Sequence, residues 1–487
     1  MEYHIICSRN KNNIIGIQDR LFIECKEDLS YFYKITTMKY PEGMNNVIIM
    51  GYNTWKSIPE NVRPFKNRYS IILTKKHKIE NTENCISMDS LESAFEYISE
   101  YKISLQLGRI FVIGGGKVFE ECKYKYMNNL VSLYITDFEN YYSNKYNQYI
   151  YFPIRLFTDT IIYPISKKQS SNCLINIFNE ESKSVNLSYT FNKYIKKNKI
   201  NLEEYQYLEL LKDILDNGNQ IQSRNSEVLS LFGEKMTFDL QKGFPLLTTK
   251  KMGYKTILRE LLWFLKGSTN NEELQFKNVH IWDQNASKEF LESCNLNYEE
   301  GDLGPIYGFQ WRHFGAEYKD RYTNYDGKGI DQIKQIIQQI KEDPHSRRIL
   351  LSAWNPADLH KMALPPCHVM CQFYVNKTLN TLDCQLYQRS GDMFLGVPYN
   401  IASYSFLTHI IAKLTGYKAG KLIHILGDAH IYINHINAVE KQLERVPIKF
   451  PEIEISDTLI DIDTIHENMI TINNYQSYER IQADMIA

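Results

Sequence analysis

Between Phe191 and Leu211 the chain changes its periodicity, and no other feature constrains its folding as much. The run Phe191-Asn192-Lys193-Tyr194-Ile195-Lys196-Lys197-Asn198-Lys199-Ile200-Asn201 closes an extended apolar stretch with a basic, polar one. Leu202-Glu203-Glu204-Tyr205-Gln206-Tyr207-Leu208-Glu209-Leu210-Leu211 then spaces its apolar residues as an amphipathic helix does. At 487 residues the chain exceeds the size at which a single core goes on growing, so the break is read as a domain boundary. We expect one domain over residues 1–198, a short linker over 199–201 and a second domain over 202–487.

Residues 1–198 alternate short β-branched runs with helical patterns. Tyr3–Cys7, Val47–Met50, Tyr69–Leu73, Ile110–Ile113 and Leu130–Thr136 are predicted strands, and Ser90–Ser99 is a predicted helix between two of them. Such alternation points to an α/β domain with a mainly parallel central sheet. One strand runs into Gly114-Gly115-Gly116, followed by a helical pattern from Lys117 and Val118. Lacking Cβ atoms, these glycines let backbone amides approach a pyrophosphate at a helix N-terminus, although a glycine triplet after a strand is more often a plain tight turn.

In the second domain two features carry chemistry. Leu364-Pro365-Pro366-Cys367-His368 holds a cysteine behind two rigid prolines, where it leaves a stiff loop for the predicted strand Val369–Val375. A cysteine is a small buried hydrophobe by default, and Cys371 and Cys384 are read that way. Cys367 differs through its basic company, Arg347, Arg348 and Arg389, since cationic neighbours lower a thiol's pKa and bind phosphate. The second feature is Glu260, one residue from the apolar stripe Leu258, Leu261, Leu262 and Leu265; a carboxylate there lies at the edge of that stripe or partly buried. Burial raises a carboxylate's pKa toward the range of a proton shuttle.

A formal charge of −1 leaves no global field to draw the chain onto nucleic acid or an anionic membrane, and the absence of a basic stripe with interleaved aromatics weighs against an RNA-binding regulator. The N-terminus lacks the pattern of a secretory leader, and no apolar run reaches membrane-spanning length. With 9 scattered cysteines and no zinc-like pairing, a reducing compartment, the cytoplasm, is expected, with no metal.

From about Leu202 to Ala487 the chain resembles thymidylate synthase. The resemblance rests on Gly243-Phe244-Pro245-Leu246-Leu247-Thr248-Thr249-Lys250, Glu260-Leu261-Leu262-Trp263-Phe264-Leu265-Lys266-Gly267, Ile281-Trp282-Asp283, Gly301 to Gly308, Gln310-Trp311-Arg312, Asp343 to Trp354, Gln388-Arg389-Ser390-Gly391-Asp392, Asn400 to Tyr404 and Gly427 to Tyr432. It implies methylation of dUMP with 5,10-methylenetetrahydrofolate, Cys367 being the nucleophile, Glu260 the proton relay and Tyr307 an aid in removing the carbon 5 proton. Arg224, Arg347, Arg348, Arg389 and Ser390 are implied at the phosphate, Asn400 at the uracil edge, and His430 and Tyr432 at the ribose. Asp392 is implied at the base or folate, and Trp282 and Asn285, with Asp283, at the folate ring. Arg347 and Arg348 are implied to reach the neighbouring subunit's site, which makes a homodimer through this domain the expected assembly. Taken alone, Asn400 reads as a helix N-cap and the arginine pair as surface charge. The segment around Arg224 departs from the family pattern by lacking its glycines. A hydroxymethylating relative is a further option that Asn285 and His430 do not exclude, but the overall match favours methylation. The C-terminal Gln482 to Ala487 resembles a tail that closes over ligands.

Residues 1 to about 197 resemble dihydrofolate reductase more loosely, through Ile14-Ile15-Gly16, Asp28, Ile48 to Pro59, Lys66-Asn67-Arg68, the glycine triplet and Thr136. The resemblance implies that Asp28 meets the pterin with Thr136 bonded beside it, and that Phe32, Arg68 and Ile113 complete a folate site in which Arg68 clamps the α-carboxylate. NADPH is implied against Cys7, Ile15, Gly16, Gly51, Thr54, Thr74, Lys75, Lys76, Gly114, Gly115, Gly116, Lys117 and Val118. Two positions depart from the family: Phe22-Ile23 stands where a Pro-Trp pair is usual, and Tyr52 where a basic residue is usual. The joint expectation is an α/β reductase-like domain of a sheet with flanking helices, followed by an α+β synthase-like domain, forming a bifunctional enzyme whose first site consumes the dihydrofolate made by the second. An active synthase with a weak or inactive, structural reductase-like domain is the alternative those departures favour.

Overall fold

The structure, a computed structural model, describes all residues except 19, 39–43, 141–148, 154–159, 165–167, 178–179, 197–200, 224–225 and 485–487, and the backbone alone over 160–164 and at 196. It divides into two compact units, Met1–Ile200 and Asn201–Ala487.

The first unit is built on one twisted sheet. Six parallel strands lie in the order Leu130–Phe138, Tyr3–Asn10, Leu107–Gly114, Asn45–Gly51, Arg68–Leu73 and Cys85–Met88. Every predicted strand is among them, and the predicted helix spans Leu91–Tyr101 behind a Ser90–Ser93 capping box. These strands read as unbroken apolar runs because both faces are covered: Ile5, Ile49, Val112 and Ile135 face one core, while their neighbours Ile6, Ile48, Phe111 and Tyr134 face the other. The sheet is more mixed than expected. Lys183–Lys196 adds antiparallel to Leu130–Phe138, and Gln169–Ile175, Thr160–Pro164 and Ile23–Glu24 extend that edge. These added strands carry many polar residues at a half-covered edge, so their sequence lacks the apolar runs of the central ones.

In the second unit a six-stranded sheet runs Asn219–Gln222, Glu227–Asp239, Lys418–Tyr432, Thr381–Asp392, His368–Asn376 and Leu350–Ser352. Only the Lys418–Tyr432 and Thr381–Asp392 pair is parallel. The helix Gly396–Thr415 packs on those two strands and on Tyr254–Lys266, and is buried nearly all round. Alternation along the strands leaves the opposite face partly open: Phe373 and Leu386 are buried, whereas Tyr374 and Tyr387, one residue on, are 66% and 37% exposed.

Candidate active sites

In the second unit the two prolines do what the sequence suggested. Cys367 ends the loop and His368 begins the strand His368–Asn376. Arg389 braces that loop, its Nε donating to Pro366 O and its Nη2 to Pro365 O, both at 2.9 Å, and its backbone N–H to Cys367 O at 2.9 Å. Among the described residues no carboxylate pairs with this guanidinium, so its charge is left for the thiol and for an anionic ligand. The Cys367 N–H donates to the Tyr307 hydroxyl at 2.7 Å. Burial, reinforced by the nearby thiol, holds the Tyr307 phenol well above its usual range, so it stays protonated.

His368, adjacent to the thiol in sequence, is not a base for it. Asn400 Nδ2 donates to His368 Nε2 at 2.8 Å, and burial pushes the imidazole down to about 3. That bond orients the Asn400 amide instead. Asn400 is not the N-cap its local sequence suggested but the fifth residue of the helix Gly396–Thr415, whose start is set by Leu395.

Glu260 is only 9% exposed, and burial raises its carboxyl to about 7 against the opposing effect of the Trp282 Nε1–H, which donates to it at 2.8 Å. Trp282 and Tyr307 lie 6.0 Å apart, ring to ring, and Tyr307 is 4.6 Å from the His368 ring. A contiguous wall therefore links the carboxyl, the indole, the phenol, the cysteine and the amide. Wild-type synthase kcat is expected to decline above pH ~7 as this carboxyl loses its proton, and Glu260→Gln to lower kcat by ~10²-fold and to remove that decline; a kcat–pH series on both proteins checks this.

At the neighbouring strand ends, Asp392 pairs in register with His430, and Ser390 with Asp428. Asp428 Oδ1 lies 3.0 Å from His430 Nδ1 and accepts from Ser230 Oγ at 2.9 Å, a support the sequence did not reveal because it joins residues far apart in the chain. Asp392 Oδ1 accepts the N–H groups of Phe394 and Leu395. Tyr432 stands edge-on to His430, and Asn285 is half-buried in the helix Asp283–Ala286. Arg347 and Arg348 are exposed just before the edge strand Leu350–Ser352, without a carboxylate partner among the described residues. Arg224 lies outside the described residues.

In the first unit Thr136, Gly51, Thr74 and the glycine triplet lie at the C-terminal ends of parallel strands, where open α/β sheets bind ligands, whereas Arg68 opens its strand and Asp28 and Phe32 come from the helix Lys26–Thr37. Asp28, in the first turn of the helix Lys26–Thr37, is 8% exposed, and burial raises it to about 6 although Thr136 Oγ1 donates to it at 2.5 Å. The Ser8 hydroxyl also bonds it, and Ser8 is the register partner of Thr136, which is why two hydroxyls converge. Period-2 spacing in the strand Tyr3–Asn10 was the available signal for Ser8. Phe22 and Ile23 are 1% and 3% exposed, packed in the core beside this helix.

Arg68 is 4% exposed and surrounded by Phe32, Tyr33 and Phe65 rings at 5.8, 5.2 and 4.6 Å. It donates to Thr36 Oγ1 and Lys66 O but pairs with no carboxylate among the described residues, and burial lowers its pKa to about 10. A buried guanidinium in that state fits an incoming carboxylate. Arg68→Met is expected to raise the KM for dihydrofolate by ~10- to 100-fold while kcat changes little, as measured by steady-state reductase kinetics.

Gly114 has φ +133°, and a Cβ on Gly115 or Gly116 would stand 3.2 Å from Thr54 Oγ1 or 2.8 Å from Ile150 Cγ2. Bare backbone is therefore required where the helix Gly116–Lys125 starts beside Gly51, a cradle that fits a pyrophosphate, with Lys117 and Val118 in its first turn. Thr74 Oγ1 accepts from the backbone of Lys76 and His77, and Lys75 and Lys76 are exposed. Tyr52 stacks on His77 at 3.8 Å. Ile15 and Gly16 lie in the short strand Ile14–Ile17, and half-buried Cys7 is the register partner of Ile135. No group of three or more metal-ligating side chains occurs among the described residues, and no helix among them is long and apolar enough to cross a membrane.

Comparison with known proteins matches both units. The family model described as Thymidylate synthase covers residues 205–487, and the one described as Dihydrofolate reductase covers 2–154. A bifunctional dihydrofolate reductase-thymidylate synthase of Zea mays is 40% identical, spanning 99% of this chain and 96% of the relative. Proteins of the same description from Plasmodium berghei and Leishmania major are 40% and 37% identical, over 98% and 99% of this chain and 89% and 95% of theirs. Two folate enzymes, a reductase and a methylating synthase, are therefore carried on one chain. It belongs to the bifunctional dihydrofolate reductase-thymidylate synthase family.

Proposed function

We propose that the second unit adds the Cys367 thiolate to carbon 6 of dUMP, turning a poorly nucleophilic ring into an enolate whose carbon 5 attacks the methylene of 5,10-methylenetetrahydrofolate. Covalent addition divides one difficult step into easier ones. Loss of the carbon 5 proton and hydride transfer from the folate follow, and expulsion of the thiolate yields dTMP and dihydrofolate. The carrying observation is Cys367 held between Arg389 and Tyr307, with the Asn400 amide fixed alongside by His368. Glu260 shuttles protons, Asn400 reads the uracil edge, Arg389 and Ser390 hold phosphate, Asp392 meets the base or folate, and His430 with Tyr432 holds the ribose.

The first unit reduces that dihydrofolate. Asp28, supported by Thr136, holds a proton at the pterin, and Arg68 binds the α-carboxylate beside Phe32 and Ile113. The glycine cradle with Thr54, Thr74, Lys75 and Lys76 would hold NADPH, which supplies a hydride when bound. Nothing at Phe22, Ile23 or Tyr52 disturbs the Asp28–Thr136 pair or Arg68.

A homodimer through the synthase unit completes the phosphate site. Its support is the outer sheet face with exposed Tyr374 and Tyr387, together with Arg347 and Arg348 exposed and unpaired with carboxylates among the described residues. The test is a two-stage assay on the full chain. Mixing it with dUMP and methylenetetrahydrofolate should yield dTMP and dihydrofolate, and adding NADPH should then consume the dihydrofolate. No dTMP, or dihydrofolate that persists with NADPH, contradicts the respective half.

A further inference from the structure

The C-terminal segment of the second unit is fastened at its root. The Tyr475 hydroxyl donates to Leu247 O at 2.7 Å and accepts the Met252 N–H, and the Tyr478 N–H donates to Thr248 O at 2.8 Å. Buried Arg445 donates to Glu479 O at 2.9 Å and pairs with its carboxylate. Closer to the end, the chain meets His435. This histidine is fully buried, with Nε2 2.8 Å from Asp484 O. A carbonyl only accepts, so Nε2 carries the hydrogen. The other nitrogen, Nδ1, lies 4.0 Å from Asp392 Oδ1 and has no hydrogen-bond partner among the described residues. Phe394 and Tyr432 rings, at 5.6 and 5.5 Å, hold the imidazole between them.

We propose that His435 is a positioning residue that latches the C-terminal segment beside the nucleotide and folate site. The inference rests on the reading above, in which Asp392 and Tyr432 border the ligands. The Asp392 carboxylate is fixed by the Phe394 and Leu395 N–H groups and faces the imidazole without bonding it, so the ring is coupled to its surroundings by packing against Phe394 and Tyr432 and to the tail by its bond to Asp484 O. A ligand that settles Asp392 and Tyr432 also settles the imidazole they flank, and with it the bond to Asp484. Without the ring, the tail loses its bond at Asp484 while its root at Tyr475–Glu479 remains.

The test compares full-length wild type, His435→Ala, His435→Gln, a deletion of residues 485–487, and the deletion combined with His435→Ala. We expect His435→Ala to raise the KM for methylenetetrahydrofolate by ~10-fold and to lower kcat, with the dUMP dissociation constant within about twofold of wild type. Glutamine, whose amide can donate to the same carbonyl, should recover most of the loss. On the shortened chain His435→Ala should add less than about twofold, because residues acting through one element are not additive. Amide exchange over residues 480–487 should slow in wild type when dUMP and methylenetetrahydrofolate are added together, a readout that needs no variant. An unchanged folate KM in His435→Ala, effects that multiply with the deletion, glutamine behaving like alanine, or ligand-independent exchange each overturns the latch. Failure of wild type itself to turn over dUMP would instead sink the underlying reading.

Discussion

Cys367→Ser should lose at least ~10⁴-fold in dTMP formation while still binding dUMP and while oxidising NADPH with dihydrofolate at the wild-type rate. The size follows from what surrounds the position. A serine hydroxyl holds its proton far more tightly than a thiol, so it needs a base, and the local candidates are disqualified. His368 is held down to about 3 and committed to Asn400, and the Tyr307 phenol is held up by burial. Arg389 stabilises an anion but cannot take a proton. The thiolate is therefore the nucleophile this pocket can sustain, and oxygen in its place leaves the ring unactivated. Phosphate and base contacts come from other side chains, which is why binding should survive. Stopped synthase assays, dUMP binding and reductase rates on the same preparation check all three parts.

The second large effect is expected at Asp28. Its carboxyl titrates near 6 because burial outweighs the Thr136 and Ser8 hydroxyls that favour the anion. The protonated form can supply a proton to the pterin, so wild-type reductase kcat/KM should fall as pH rises through ~6. Asp28→Asn cannot supply that proton, and should lose ~10³-fold at neutral pH and show no such decline. The same shift acts on stability with a definite sign. Between the unfolded value near ~3.9 and the folded value of about 6, the folded state keeps a proton that the unfolded chain has released. The contribution of Asp28 to stability therefore falls across that window as pH rises, and is constant above it. Urea unfolding monitored in the reductase unit at pH ~4.5 and ~7, compared between wild type and Asp28→Asn, measures it: the variant should lack this component of the pH dependence.

Much of the central architecture could be read in the chain because parallel strands covered on both faces must be apolar throughout. Tyr3–Asn10, Asn45–Gly51 and Leu107–Gly114 announce themselves in that way. Lys183–Lys196 does not, since its side chains alternate toward solvent, and the mixed edge of the sheet was missed for that reason. At the sites, residues with their own local signal were legible: a cysteine after two prolines, a carboxylate on an apolar helix face, a glycine triplet after a strand. Ser8, Ser230 and His435 were not, because their roles depend on the register of distant strands or on where the chain end lies. The pairing of His368 with Asn400 shows the same limit from the other side. His368 is the thiol's neighbour in sequence, yet the fold turns its ring toward the Asn400 amide, a contact that sequence adjacency does not show.

The most direct test of covalent addition at Cys367 uses 5-fluoro-dUMP with methylenetetrahydrofolate, because fluorine at carbon 5 cannot leave as a proton and the adduct should accumulate. Peptide mass spectrometry should then find the nucleotide and folate together on the peptide carrying Cys367, and nowhere else. A complex that forms without modifying that cysteine, or modifies another residue instead, would contradict the account.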